Sequence, residues 1–292
     1  MADLVQQVVA GLASGGIFAS LALALVLIYR ATGIVNFAQG ELAMVSTFVS
    51  WELIERGLAF WPAFFLTLAI SFVIGVVIER VVIRPVEGRP VLTGVIVTLG
   101  LLVFCNGFAF WVWGGDVKNY PSGFSTRTID VAGVAISVQD LGVIAVTLVA
   151  VALLYAFFQL TKLGLGMRAA ALNPDASRLV GIRVGWMLAL GWGLAAVLGA
   201  ISGMLVAPTV LLDPNMMRPV LLYAIAAAVL GGLSSPGGAV VGGLALGVTL
   251  NLLTAYGDVP SSLRLPVALA LILVVLLIRP AGLFGRVALR RV

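Results

Sequence analysis

Apolar residues run along this chain in long blocks separated by short polar interruptions. This is the pattern of helices that are hydrophobic all round, not on one face. Blocks at 4–28, 60–78, 91–113, 141–160 and 186–210 each match the ~20 residues a helix needs to cross a bilayer. Shorter blocks at 239–255 and 265–278 follow near the end. Two further blocks are irregular. The stretch 31–50 is broken by Gly33, Asn36, Gln39, Gly40 and Glu41. The stretch 220–233 is only ~21 Å long as a helix, against ~30 Å of hydrocarbon. It ends at Gly231 and Gly232, with Pro236, Gly237 and Gly238 just beyond, and reads as a helix break. Either irregular block can re-enter instead of spanning. The expected fold is therefore all-α: a polytopic membrane protein with eight or nine transmembrane or half-membrane helices, in one domain over 1–292. Gly11/Gly15, Gly199/Gly203 and Gly243/Gly247 are small-residue pairs at the spacing that lets two helices approach closely. Residues 114–139 read as a mixed polar loop.

The longest polar interruption in the second half is 161–186, which holds four of the seventeen basic residues: Lys162, Arg168, Arg178 and Arg183. Its centre predicts a very short helix over 174–180. Asn173 is a good N-cap, and Pro174 suits the first helical position because its missing N–H has no partner there anyway. Asp175 places negative charge where the helix dipole favours it, and Gly181 can take the left-handed stop. A helix ~10 Å long is not stable alone. It is either a docking knob for a soluble partner or one helical turn in an ordinary loop.

Composition agrees with the pattern: 62% of residues are hydrophobic and 10% charged, more apolar surface than a soluble domain of this size can hide. The net charge of +5 therefore matters for where the cations fall, and it does not point to nucleic acid. With the N-terminus outside and nine crossings, the inner side holds Arg30, Arg80, Arg84, Arg89, Lys162, Arg168, Arg178, Arg183, Arg279, Arg286, Arg290 and Arg291. The outer side holds Arg56, Lys118, Arg127, Arg218 and Arg264. Twelve against five places 161–186 and the C-terminus in the cytoplasm. The first block lacks a basic n-region and a cleavage site, so it is expected to be a retained span.

Histidine is absent and Cys105 is the single cysteine, so no metal site, disulfide or histidine-based catalytic arrangement is expected. The glycine-rich stretch 231–247 lacks the Lys-Ser or Lys-Thr of a phosphate loop. The chain is not expected to be an enzyme or to bind a cofactor itself. Glu41 is the one carboxylate well inside an apolar block, which costs several kcal/mol unless it is paired or hydrated. Asn36, Gln39, Gly40 and Glu41 together make a candidate water-lined path at a helix break. Alternatively, Glu41 merely caps a broken half-helix. Asn106 and Asn251 read as interhelical hydrogen-bonding groups, and Trp61, Trp111 and Trp113 as interfacial anchors.

Four blocks, SLALALVLIYRATGIVNFAQGELAMV (20–45), LGMRAAALNPDASRLVGI (165–182), AAAVLGGLSSPGGAVVGG (226–243) and IRPAGLFG (278–285), resemble one family in order and spacing. It is the integral-membrane permeases of ATP-binding-cassette importers for branched-chain amino acids, the shorter of the two permease types. The resemblance implies an inner-membrane protein that works with ATPase subunits, a second permease subunit and a periplasmic solute-binding protein delivering an amino acid. It implies that the segment with Arg168, Asn173, Pro174, Asp175, Arg178 and Gly181 is the coupling helix that docks on the ATPase. The family usually carries His where this chain has Gln39, so that residue either alters specificity or replaces a backbone hydrogen bond. Competing readings are a proton-coupled carrier using Glu41, an importer of another small substrate such as urea, and a scaffold without transport.

Overall fold

The computed structural model describes residues 2–125, 127–131, 134–257 and 259–285. Eleven α-helices follow one another: α1 (Ala2–Thr32), α2 (Gln39–Glu55), α3 (Phe60–Ile78), α4 (Val91–Trp113), α5 (Val138–Leu160), α6 (Lys162–Leu172), α7 (Pro174–Leu179), α8 (Val184–Val210), α9 (Met217–Gly231), α10 (Pro236–Tyr256) and α11 (Arg264–Ile278). The protein is thus helical and polytopic in character. One exception is a hairpin of two antiparallel strands, β1 (Thr128–Val131) and β2 (Val134–Ser137), inside what the sequence presents as a loop.

Among the described residues, six helices are long and apolar enough to cross a membrane: α1, α3 with its continuation to Val86, α4, α5, α8 and α10. Two shorter apolar helices, α9 and α11, have 15 residues each, and α2 has 17. Beside these six helices of spanning length, α2, α9 and α11 are the shorter apolar elements among the described residues, and the two irregular blocks contain real breaks. In the first, α1 runs on to Thr32, the chain leaves helical geometry over 33–38, and α2 begins only at Gln39.

The architecture is inverted relative to a soluble domain. The most apolar stretches of α1 and α8 are 83% buried within the protein, while those of α3, α4 and α5 are 22–28% buried. The centre mixes alanines and small hydroxyls, including Ala19, Ala22, Ala195, Ala200, Ser20 and Ser202, with fully buried large side chains such as Leu21, Leu25, Phe48 and Met204. Large side chains such as Phe65, Phe104, Trp111 and Leu153 point outward. Lipid tails are as apolar as leucine, so nothing drives those side chains inward, and close packing of small residues holds the helices together.

The α1–α10 contact shows why glycine is required. A Cβ on Gly15 would lie 2.9 Å from the Gly243 carbonyl, and one on Gly243 would lie 2.5 Å from the Ala19 backbone. A Cβ on Gly247 would fall on the backbone of Gly15. Farther along, Asn251 Nδ2 donates to the Gln7 carbonyl at 2.7 Å, an interhelical bond of the expected kind. Gly203 of α8 faces Ala43 and Thr47 of α2 in the same manner.

These pairings fix directions. Residues 39, 43 and 47 of α2 meet α8 at successively higher numbers, so α2 and α8 run parallel. Helices α1 and α9 run opposite to α10, since Gly243 and Gly247 meet Ala19 and Gly15, and Gly238 and Gly242 meet Gly231 and Ala227. One end of the bundle gathers Arg30 at the close of α1, Arg80, Arg84 and Arg89 after α3, and the α6–α7 segment. The α9–α10 break lies at this end, with the 279–285 segment against it: Leu283 and Phe284 amides donate to the Leu230 and Gly231 carbonyls at 2.8 and 3.1 Å. Arg286, Arg290 and Arg291 lie outside the described residues. At the opposite end Lys118 sits over the Trp51 ring at 4.6 Å. There Ser50 Oγ and the Tyr120 hydroxyl share a 2.7 Å hydrogen bond, and burial pushes the Tyr120 phenol up to about 12 against the opposing effect of that bond.

Gly247→Val is expected to destabilise the bundle by about 1–3 kcal/mol through overpacking, read as a fall of several degrees in melting temperature in detergent. Gly100→Ala, where an added Cβ meets nothing within 4 Å, is expected to leave the melting temperature unchanged.

Candidate functional site

The break before α2 is closed by side chains. The Ala38 amide donates to Asn36 Oδ1 at 3.1 Å, and Asn36 Nδ2 donates to Gln39 Oε1 at 3.0 Å. Gln39 Nε2 in turn donates to the Ala195 carbonyl, near the middle of α8, at 2.8 Å. Asn36 and Gln39 are both fully buried, and their polar atoms are used in holding the break to α8. Gln39 therefore bonds backbone here. Gly40 packs against Leu221 and the Met217 carbonyl, at the start of α9. The N-terminal turns of α2 and α9 thus meet at mid-depth, and the two helices leave that level in opposite directions.

The approach to α9 is also non-helical. After α8 ends, Leu212 pairs with Lys118 as an isolated bridge, and turns carry the chain to Met217. Backbone without helical bonds needs partners when water is scarce. Asn106, from α4, supplies one: its Nδ2 donates to the Pro214 carbonyl at 2.8 Å. The Asn215 amide donates to Asp213 Oδ1 at 2.7 Å.

Glu41 completes the cluster. It lies in the first turn of α2, where the helix dipole favours a carboxylate, and is 3% exposed. Its two partners are both distant: Asn106 Nδ2 at 3.4 Å and Arg218 Nε at 3.8 Å. Arg218 also donates from Nη2 to Asn106 Oδ1 at 3.3 Å. The Arg218 side chain is 56% exposed, so the buried acid has an open neighbour. A carboxylate and a guanidinium side by side, loosely held and reachable through the arginine, can each exchange partners with a charged solute. Of the four predicted path residues, only Glu41 touches a group that opens outward. Arg218, which the sequence assigns to a short outer loop, stands in the first turn of α9 beside Glu41. Asn106, read as an interhelical hydrogen-bonding group, is the donor that ties Glu41 to the Pro214 backbone.

The second candidate region lies at the basic end. Thr161 caps α6, its side chain accepting from the Gly164 amide at 2.9 Å. Asn173 Oδ1 accepts from the Ala176 amide at 3.0 Å, Pro174 stands at the start of α7, and Gly181 takes φ +84°. Asp175 and Arg178 pair at 2.8 Å on the exposed surface, a contact of little energetic weight. Arg168 is on α6, not α7, and its Nη1 donates to Gln159 of α5 at 2.9 Å. At the α9–α10 break, Gly232 has φ +102°, and Ser235 caps α10 by accepting from the Gly238 amide at 3.0 Å. Pro236 begins α10. Gly231 and Gly238 are in backbone contact, while Gly237 has open space around it.

Arg218→Ala leaves Glu41 buried with only Asn106 near it, and is expected to cost about 1–3 kcal/mol of stability. Adding Glu41→Gln removes the uncompensated charge and is expected to restore most of the loss. A double-mutant cycle on thermal unfolding in detergent checks this, and additive effects would contradict the pairing.

Residues 7–276 match the family model described as "Branched-chain amino acid transport system / permease component". The chain is 30% identical over 302 residues, 98% of its length and 97% of the relative's, to the high-affinity branched-chain amino acid transport system permease protein BraD of Pseudomonas aeruginosa. It is 29% identical over 301 residues, with the same coverage, to the permease protein LivH of Escherichia coli K12. In fold it is similar to the solved structure of PsaBC from Streptococcus pneumoniae in complex with Fab, with a TM-score of 0.51 over 93% of this chain and 91% of that one, at 14% identity. The chain belongs to the branched-chain amino acid transport permease family.

Proposed function

We propose that the chain is the permease subunit of an ATP-binding-cassette importer that moves branched-chain or related hydrophobic amino acids. On this reading a periplasmic solute-binding protein delivers the substrate, ATPase subunits drive the cycle, and a second permease subunit completes the membrane assembly. The observation that carries the reading is α7. This six-residue helix is capped at one end and stopped at the other, and it is followed by side chains held away from the protein. Leu179 is 89% exposed and Val180 77%, with Leu172 at 81% beside them. So short a helix is not stable alone, and an exposed aliphatic patch at a polar surface marks a protein contact. A coupling helix that seats in a groove on an ATPase accounts for both.

Energy must enter through such a partner. Switching between outward- and inward-open states needs a ligand that binds the two differently, and the sequence carries no phosphate-binding loop. The basic end, with α7 and the C-terminus, faces the cytoplasm of the inner membrane, and the N-terminus faces outside. Nine crossings result, two of them completed by non-helical backbone at 33–38 and 211–216. Those two stretches meet at Glu41, Asn106 and Arg218, which form the mid-depth of the path. An acid beside a base matches the two charges of an amino acid's head group.

Leu179→Asp with Val180→Asp is expected to lower ATP-driven uptake in proteoliposomes by about tenfold or more, as loss of a contact centre implies. ATPase subunits should cease to co-purify, while the melting temperature of the permease stays the same. Undiminished ATP-driven uptake by the variant would contradict the coupling role. Uptake by the chain alone, abolished by collapsing the proton gradient, would instead favour a proton-coupled carrier.

A further inference from the structure

A cavity of about 290 Å³ opens near the basic end, between α1, α5, α6, α8 and α10. Its walls are almost wholly apolar, with Leu23, Leu27, Leu154 and Val240 among them. Two guanidiniums, Arg30 and Arg168, stand in the same lining, and no aspartate or glutamate does. Among the described residues neither arginine has an ion pair. Arg168 spends Nη1 on Gln159, but its Nε is buried without a partner. The first turn of the 21-residue α10, with Pro236 and Gly237, also lines the cavity and adds the positive end of a helix dipole.

Arg30 is exposed and Arg168 half-buried, and two like charges at the mouth of an apolar slot favour an anion beside them. A ligand that satisfies the whole site is therefore amphipathic, with a compact anionic head for the arginines and a hydrocarbon tail for the slot. We propose that this cavity binds one anionic phospholipid of the adjoining leaflet, its phosphate held by Arg30 and Arg168 and an acyl chain lying along Leu23, Leu27 and Val240. Basic pockets between membrane helices are suited to such head groups. The site is separate from the Glu41–Arg218 cluster, so lipid binding there is independent of which solute the protein moves. It lies beside α6, so an occupied cavity braces the segment that carries α7.

The test is native mass spectrometry of the full-length chain in detergent, titrated with phosphatidylglycerol or phosphatidylcholine of the same acyl chains. The wild type is expected to retain phosphatidylglycerol with about tenfold preference, and Arg30→Gln with Arg168→Gln to abolish that preference. Equal retention of both lipids by the wild type, or an unchanged preference in the double variant, overturns the proposal. Displacement of the lipid by millimolar inorganic phosphate also overturns it, assigning the cavity to a free anion. If the double variant does not fold, Val240→Trp fills the slot and keeps both arginines. Loss of bound phosphatidylglycerol from that variant supports the proposal, and undiminished binding refutes it.

Discussion

The backbone freed at the two helix breaks of this chain finds its partners within the chain. In hydrocarbon an unpaired amide or carboxylate costs several kcal/mol. That constraint explains why the two helix breaks lie where they do. At 33–38 the freed backbone is bridged by Asn36 and Gln39, and Gln39 is anchored on the Ala195 carbonyl of α8. At 211–216 it is held by Asn106 on the Pro214 carbonyl and by Lys118 across the Leu212 bridge. Both breaks bring chain to one level, where the N-termini of α2 and α9 meet around Glu41. The satisfied groups are rigid supports. Glu41 and Arg218, by contrast, are loosely paired, at 3.8 Å.

The rest of the fold exists to hold those breaks steady while leaving the protein able to move. Small residues along α1, α8 and α10 bring backbones into contact. Large aliphatic and aromatic groups on α3, α4 and α5 face outward, where bilayer solvates them. Polar contacts inside the bundle, such as Ser71 to Ser46 at 2.8 Å, add direction to packing that is otherwise non-directional.

Much of this is legible in the residues alone, for a physical reason. A helix in lipid needs ~20 apolar residues, so 60–78, 91–113 and 186–210 declare themselves. The α7 motif is legible because Asn173, Pro174 and Gly181 each have a narrow conformational role, and they do in the structure what those roles require. Other features depend on long-range contacts that no local pattern encodes. Arg218 looks interfacial because it follows a short loop, and only the descent of that loop beside Asn106 places it next to Glu41. Helix α6 is obscured by Gly164 and Gly166, yet a side chain at Gly164 would strike the Phe157–Phe158 backbone, so the glycine is what lets α6 fold back on α5. The β1–β2 hairpin is a four-residue pairing with alternating Ile129, Val131, Val134 and Ile136, a signal too brief to stand out from a polar loop.

We infer that water reaches the level where α2 and α9 meet, because the Arg218 side chain beside Glu41 is 56% exposed. Cys105 is the sole native cysteine, so a Cys105→Ser background isolates any introduced thiol. Labelling of intact vesicles with a membrane-impermeant maleimide then compares Arg218→Cys with Phe104→Cys, the latter on an outward face of α4 that is 66% exposed within the protein. The account predicts that the thiol at 218 reacts and the thiol at 104 does not. A silent 218, or equal labelling of the two, would contradict it.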